Sequence, residues 1–364
     1  MTQATTPIAL DPVRLAVWSV IIIVTLTLLV VGKAFLIPLA IASLLWILFD
    51  AIRKTIMRWM PGETSLPRWL ATTFSILLIV AANSLVVWII IGQGDAMAEA
   101  VPVYQEQFAA RMESAAEAFG LDELPSTVGL LNQVDLGALL GWLGDSIGAL
   151  TSNTFLIAIY FAFLIAEENI FPDKISRLTN DPVKAAQFKK LSNDIAKQVQ
   201  RYIGMKTGVS ALTGFVSYAI LEFVGVDFAA LWALLIFFLN FIPNIGAALG
   251  VLFPALLTVV QFDTLTPFLI VTAGLGAAQF VIGNVVEPAY MGKSLNLSSF
   301  MILLSLSFWG ALWGLPGMFL SVPLMVVAAI VCAHFVGLRW ISVMLSADGQ
   351  ILSESQQQKV ASDS

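Results

Sequence analysis

The sequence predicts an all-α integral membrane protein of about eight transmembrane helices, with broken or re-entrant elements in its C-terminal half. Three observations predict it. Of 364 residues, 59% are hydrophobic and only 12% charged, about half the roughly 25% that a water-soluble domain uses to cover its surface. The apolar residues are gathered into long runs, as a lipid-facing helix requires. Two of those runs are too long for one crossing and are interrupted by proline, glycine and asparagine.

The N-terminal region, 1–92, holds three crossings. Leu15 to Val31 and Ala34 to Phe49 are apolar runs separated only by Gly32–Lys33, which leaves room for a tight hairpin. Because a second run follows at once and no small-residue cleavage site intervenes, the first is a crossing and not a signal peptide. The third run, Trp69 to about Gly92, carries Trp69 and Trp88 as interface anchors. Segment 93–150 then changes character, with nine acids and the single base Arg111. Its apolar residues keep helical spacing, so it reads as amphipathic helix divided by turns at Gly120 and Pro125.

A fourth crossing occupies 151–168. Segment 169–206 is basic, and within it Leu191, Ile195, Val199 and Tyr202 share one helix face. That face is expected to lie against the membrane or a neighbouring subunit. The core, 207–338, is almost continuously apolar, and 339–364 is a polar tail. Basic connections stay cytoplasmic and acidic ones cross. Arg14, Arg53–Arg68 and Lys174–Lys206 all fall on one side if both termini are cytoplasmic, and the acidic segment falls outside. In the core, Phe228–Gln261 and Ser298–Phe335 are each a hairpin or a broken helix, which leaves between eight and ten crossings.

Several chemistries are excluded or unsupported. The net charge of −6 comes with no basic stripe for nucleic acid. One cysteine, Cys332, and one histidine, His334, supply neither a disulfide framework nor a zinc site, and no metal or cofactor is expected. Gly225-Val-Asp227 has part of an intramembrane-protease motif but lacks the second glycine and a partner aspartate. No Walker-type phosphate loop is present. An enzyme is therefore not expected.

Transporters often bind solutes where helices are interrupted, because half-helix ends expose free amides and carbonyls. Here the interruptions are Asn240-Phe-Ile-Pro243-Asn244-Ile-Gly246 and Gly314-Leu-Pro316-Gly317. Between them lie Gln279, Asn284, Glu287 and Pro288. The amides of Asn240, Asn244, Gln279 and Asn284 both donate and accept, which suits a polar solute or hydrated ion. Glu287 is the candidate ionisable group at membrane depth. Competing structural readings make Pro243–Gly246 a surface turn and pair Glu287 with Lys293. The spacings Gly246/Gly250 and Gly310/Gly314 suit close helix packing.

The phrases NFIPNIGAALG (Asn240–Gly250), GNVVEPAYMGKSLNLSSF (Gly283–Phe300, after Gln279) and WGLPGMFLSVPL (Trp313–Leu324) occur in that order. Together they resemble the autoinducer-2 exporter family of bacterial permeases over nearly the whole chain. The resemblance implies an inner-membrane permease with eight crossings and both termini cytoplasmic, exporting a signal molecule or exchanging sodium for protons. The motif positions it carries over are Asn240, Pro243, Asn244, Gly246, Gln279, Asn284, Glu287, Pro288, Gly314, Gly317 and Pro323. The leading expectation is a secondary transporter, possessed of a lipid environment, a small polar solute or ion as ligand, and a homo-oligomeric state. A sodium–proton antiporter and a non-transporting scaffold, the latter using the Leu191–Tyr202 stripe, are the alternatives.

Overall fold

The computed structural model describes residues 12–58, 67–118, 153–168, 170, 174, 181–291 and 296–350. The acidic segment beyond Ala118 with its turn signals at Gly120 and Pro125, Lys293, and the tail beyond Gln350 lie outside them. Among the described residues every regular element is helical, apart from one isolated bridge between Leu297 and Ser346.

Helices α1 (Pro12–Val31), α2 (Lys33–Arg58) and α3 (Arg68–Ala118) open the chain. Then come α4 (Thr154–Glu167) and α5 (Pro182–Val224). A short pair follows, α6 (Ala229–Leu239) and α7 (Ile245–Gln261). Helix α8 (Thr266–Val281) runs through a π-turn, Ile282–Val286, into α9 (Glu287–Met291). Helices α10 (Ser299–Trp313) and α11 (Leu315–His334) form a second hairpin, and α12 (Arg339–Leu345) ends the described chain.

Helix length decides which of these cross. At about 1.5 Å per residue, the eleven residues of α6 reach only about 16 Å into a hydrocarbon core of about 30 Å. Helix α7 returns to the side α6 left. Its last residue, Gln261, accepts from Asp227 N (3.0 Å) and donates to Gly225 O (2.8 Å), both in the turn that precedes α6. The α6–α7 pair is therefore re-entrant. At the turn between α10 and α11, Trp313 donates through Nε1 to Leu29 O near the end of α1 (3.0 Å). Among the described residues, five helices are long and apolar enough to cross a membrane, in α2, α3, α5, α8–α9 and α11, and α1, α4, α6, α7 and α10 carry shorter apolar stretches. The end of the bundle that holds Arg53 and Glu168 is here called the near side, and the end that holds Asp227 and Asp263 the far side.

Ion pairs mark the two surfaces. On the near side the buried Arg53 guanidinium holds both Glu168 oxygens (2.9 and 2.5 Å) and Asp50 (2.6 Å), tying α2 to the end of α4. On the far side α3 does not stop where its apolar run ends. It continues as one helix to Ala118, where Tyr104 donates to Asp227 (2.7 Å) and Arg111 pairs with Asp263 (2.9 Å). Burial first, then the Asp227 hydrogen bond, raises the Tyr104 phenol above its ordinary value. Gln93 accepts from Leu231 N (3.0 Å), fastening the exit of α3 to α6.

Helix α5 is long enough to pass through the membrane and extend well beyond it. Asp181 starts it by accepting from Val183 N (2.9 Å), with Pro182 supplying a first turn that needs no N–H. The stripe Leu191, Ile195, Val199 and Tyr202 packs against Val322, Met325, Val326 and Ile330 of α11. This corrects the expectation that it faces lipid or another subunit: the partner face is supplied within the chain. The outward faces are apolar instead. Phe155, Phe163, Phe215 and Phe223 are 77%, 69%, 71% and 88% exposed, a cost in water that disappears against lipid.

Candidate functional site

Both interruptions fold as tight hairpin tips, and the structure brings them together. In the first, Asn244 takes φ +60° at the start of α7, and Gly246 passes directly beneath Leu239. A Cβ on Gly246 would fall 1.7 Å from Leu239 O. In the second, Gly314 takes φ +66°, Pro316 occupies the first turn of α11, and a Cβ on Gly317 would fall 1.9 Å from Trp309 O. The two tips use the same device, a positive-φ residue followed by a glycine against the incoming helix. They meet through Leu239, Ile242 and Leu249 on one and Leu306, Leu315 and Met318 on the other. Phe241 and Phe319 add a ring contact with centroids 4.6 Å apart. The Pro243–Gly246 turn is thus packed against the second hairpin, with Asn244 left exposed at its tip.

Asn240 is the amide that this arrangement buries. Its Nδ2 donates to Ser210 Oγ on α5 (3.1 Å), and both residues are buried. Gln279 lies against the other arm: a Cβ on Gly250 would be 3.3 Å from its Nε2. The close approach expected of Gly246, Gly250 and Gly310 is present, Gly310 lying against Met318. Asn244 is exposed at the tip. Asn284 is not part of the cluster, because it is exposed and its Nδ2 returns to Phe280 O in its own helix (3.0 Å).

Glu287 points at α5. Its carboxylate accepts from Lys206 Nζ at 2.6 Å, and the lysine side chain is only 7% exposed. The neighbouring Pro288 favours that orientation. Pro288 has no N–H, and its ring opposes the carbonyl four residues earlier. The preceding turn widens, and Glu287 N bonds to Ile282 O, five residues back. Lys206 belongs to a buried polar column along one face of α5: Gln198, Tyr202, Lys206, Ser210, Thr213 and Ser217. The spacings of three and four that align these residues are visible in the sequence. Lys206 nonetheless reads there as the last base of a solvated segment, and its partner is 81 residues away.

The remaining groups form no second centre. Glu222, Asp227 and Asp263 are exposed on the far side, the latter two paired with Tyr104 and Arg111. His334 bonds through Nδ1 to Ile330 O (2.9 Å), with Nε2 3.9 Å from Asp194 on α5. Among the described residues, no three of His, Cys, Asp or Glu converge as metal ligands do.

The chain is similar to known transport proteins. A family model described as AI-2E family transporter matches residues 19–337. The AI-2 transport protein TqsA of Escherichia coli K12 is 29% identical over 93% of this chain and 97% of its own length. A candidate transport protein of Borreliella burgdorferi is 32% identical over 70% of this chain and 69% of its own. Both relatives are named for transport, and neither for catalysis.

Proposed function

From the premise that the chain belongs to the AI-2E transporter family, we propose that it is a secondary transporter exporting a small polar solute across the bacterial inner membrane. The near side is cytoplasmic in this reading, because Arg53, Arg68 and the bases of α5 gather there. The solute is of the kind named for the Escherichia coli relative, the AI-2 signal. The observation that carries the proposal is the buried Asn240–Ser210 contact at a re-entrant tip. A polar pair at mid-depth is expensive unless it serves a polar path. Asn240, Gln279, Pro243 and Gly246 form the tip and its seat, while Gly314, Pro316 and Gly317 shape the facing hairpin. Gln198 Oε1 and Ser217 Oγ, at the two ends of the α5 column, are buried without a protein partner. Each costs about 1–3 kcal/mol if left so, which favours a column that meets a polar species in part of its cycle.

Movement of the core (207–338) against the N-terminal helices (1–92) opens the path to either side, and protonation of Glu287 couples that movement to the proton gradient. Gly204 and Gly208 present bare faces on α5, with room for a neighbouring helix in a homo-oligomer. The antiporter reading ranks lower, since the carboxylates it needs lie at helix ends. The scaffold reading loses its contact stripe to α11. The test is efflux of AI-2 from proteoliposomes under an imposed proton gradient, with sodium as a separate arm and Glu287→Gln alongside. Gradient-dependent efflux that becomes insensitive to pH in the variant is the expected result. A variant with unchanged pH dependence would remove Glu287 from the coupling.

A further inference from the structure

The Lys206–Glu287 pair has an imbalance of donors around it. On one buried face of α5, Tyr202, Lys206 and Ser210 stand one helical turn apart, supplying a phenol, an ammonium and a hydroxyl. The Ser210 oxygen accepts from Asn240, so the serine keeps its own proton to donate. Glu287 is the acid that meets this row, and it reaches in from a different helix, on a short segment set off by a π-turn. A row of buried donors whose ammonium is held by one carboxylate is the chemistry of an oxyanion site.

We propose that Tyr202, Lys206 and Ser210 form a binding column for an oxyanion, and that Glu287 occupies it as a resident substitute. The transported solute then carries a carboxylate, phosphate or comparable oxyanion group. This rests on the transporter reading for its role, although the binding site stands independently of flux. When the solute oxyanion takes the column, the Glu287 carboxylate leaves and accepts one proton to become a neutral acid. Lys206 keeps one anionic partner throughout. The charge of the site is unchanged, and one proton enters the site with each oxyanion bound. The two therefore travel together, and outward flux runs on the solute's own gradient, favoured by an acid interior. A buried cation left alone would be far more costly than either state.

The experiment uses purified full-length protein in detergent, with formate and inorganic phosphate as probes and chloride at equal ionic strength as control. In Glu287→Gln the resident carboxylate is absent, and formate or phosphate should raise the thermal midpoint saturably, by about 2 °C or more. The double variant Lys206→Met/Glu287→Gln should show no rise above the chloride control. Equal responses in the two variants would overturn the site. Should Glu287→Gln fail to fold, proton uptake by the weakly buffered wild type on adding formate gives the same answer. About one proton per chain, lost in Lys206→Met, supports exchange, and no uptake refutes it. Anion binding through Lys206 without efflux in liposomes would retain the site and reject the transporter reading. Efflux of AI-2 without any anion response would do the reverse.

Discussion

Replacing Gly246 with alanine tests the re-entrant hairpin at its tightest point. The added Cβ would sit 1.7 Å from Leu239 O and 2.5 Å from Leu239 C, whereas ordinary contact begins near 3.4 Å. Both atoms belong to backbone, so no side-chain rotation relieves the clash, and α6 and α7 must part by roughly 1.5 Å. Overpacking of this kind costs about 1–3 kcal/mol, and a clash with a carbonyl belongs at the upper end. Gly276 in α8 provides the control, since a Cβ there meets nothing within 4 Å. Alanine at that helical position should stabilise by about 0.5–1 kcal/mol. Thermal unfolding followed by tryptophan fluorescence should therefore separate the two in sign. Gly246→Ala falls by about 4 °C, while Gly276→Ala stays level or rises. A Gly246→Ala protein as stable as wild type would mean that the α6–α7 tip is not closed as described.

Two predictions concern the anchors at either surface. Arg53→Lys keeps the charge but loses the two-pronged grip on Glu168, and should lower stability by about 2–3 kcal/mol; Arg53→Ala should cost more, and a thermal midpoint unchanged in both would argue against a clasp between α2 and α4. Tyr104→Phe removes the bond to Asp227 and should cost about 1 kcal/mol at this partly exposed site. Because the folded-state phenol is raised above its ordinary value near 10, the contribution is full below pH 10 and fades as pH climbs higher. The stability gap between wild type and Tyr104→Phe should be flat from pH 6 to about 9 and narrow in alkali. A gap that widens there would reverse the assignment.

What the sequence discloses depends on whether the signal is local. Both hairpin breaks were readable, because proline, glycine and a positive-φ asparagine act on their own neighbours. The continuation of α3 past Gly92 was less so. Leaving the membrane changes side-chain polarity but not the backbone ladder, so a run that ends as a crossing persists as a helix. Amide chemistry misled at Asn284, whose short side chain finds its own helix carbonyl before any solute. The Leu191–Tyr202 stripe announced a packing face but not which surface would cover it. Lys206 was hidden for the strongest reason. A lysine ending a basic segment is usually solvated, and only the long-range approach of α9 makes it a buried partner.

The approach of α9 depends on the π-turn, and the competing energies there can be weighed. One extra residue in a helix rotates everything after it by about 100°, so an ordinary α-helix through Ile282–Val286 would turn Glu287 away from Lys206. Pro288 favours the wide turn by removing an N–H, and a proline inside a helix costs about 3 kcal/mol. Breaking a buried ion pair by withdrawing one partner costs about 3–5 kcal/mol. The pair therefore outweighs the helix. Pro288→Ala alone should leave the turn in place and change stability by less than about 1 kcal/mol, because the gain in helix propensity is realised only if Glu287 lets go. In a Glu287→Gln background the restraint is gone, and the same proline substitution should stabilise by about 2–3 kcal/mol as the helix regularises. Measured as a double-mutant cycle in thermal unfolding, a clear coupling between the two positions is expected. Equal effects of Pro288→Ala in both backgrounds would mean that the ion pair does not hold the turn, and that its strain is not available to move Glu287 during transport.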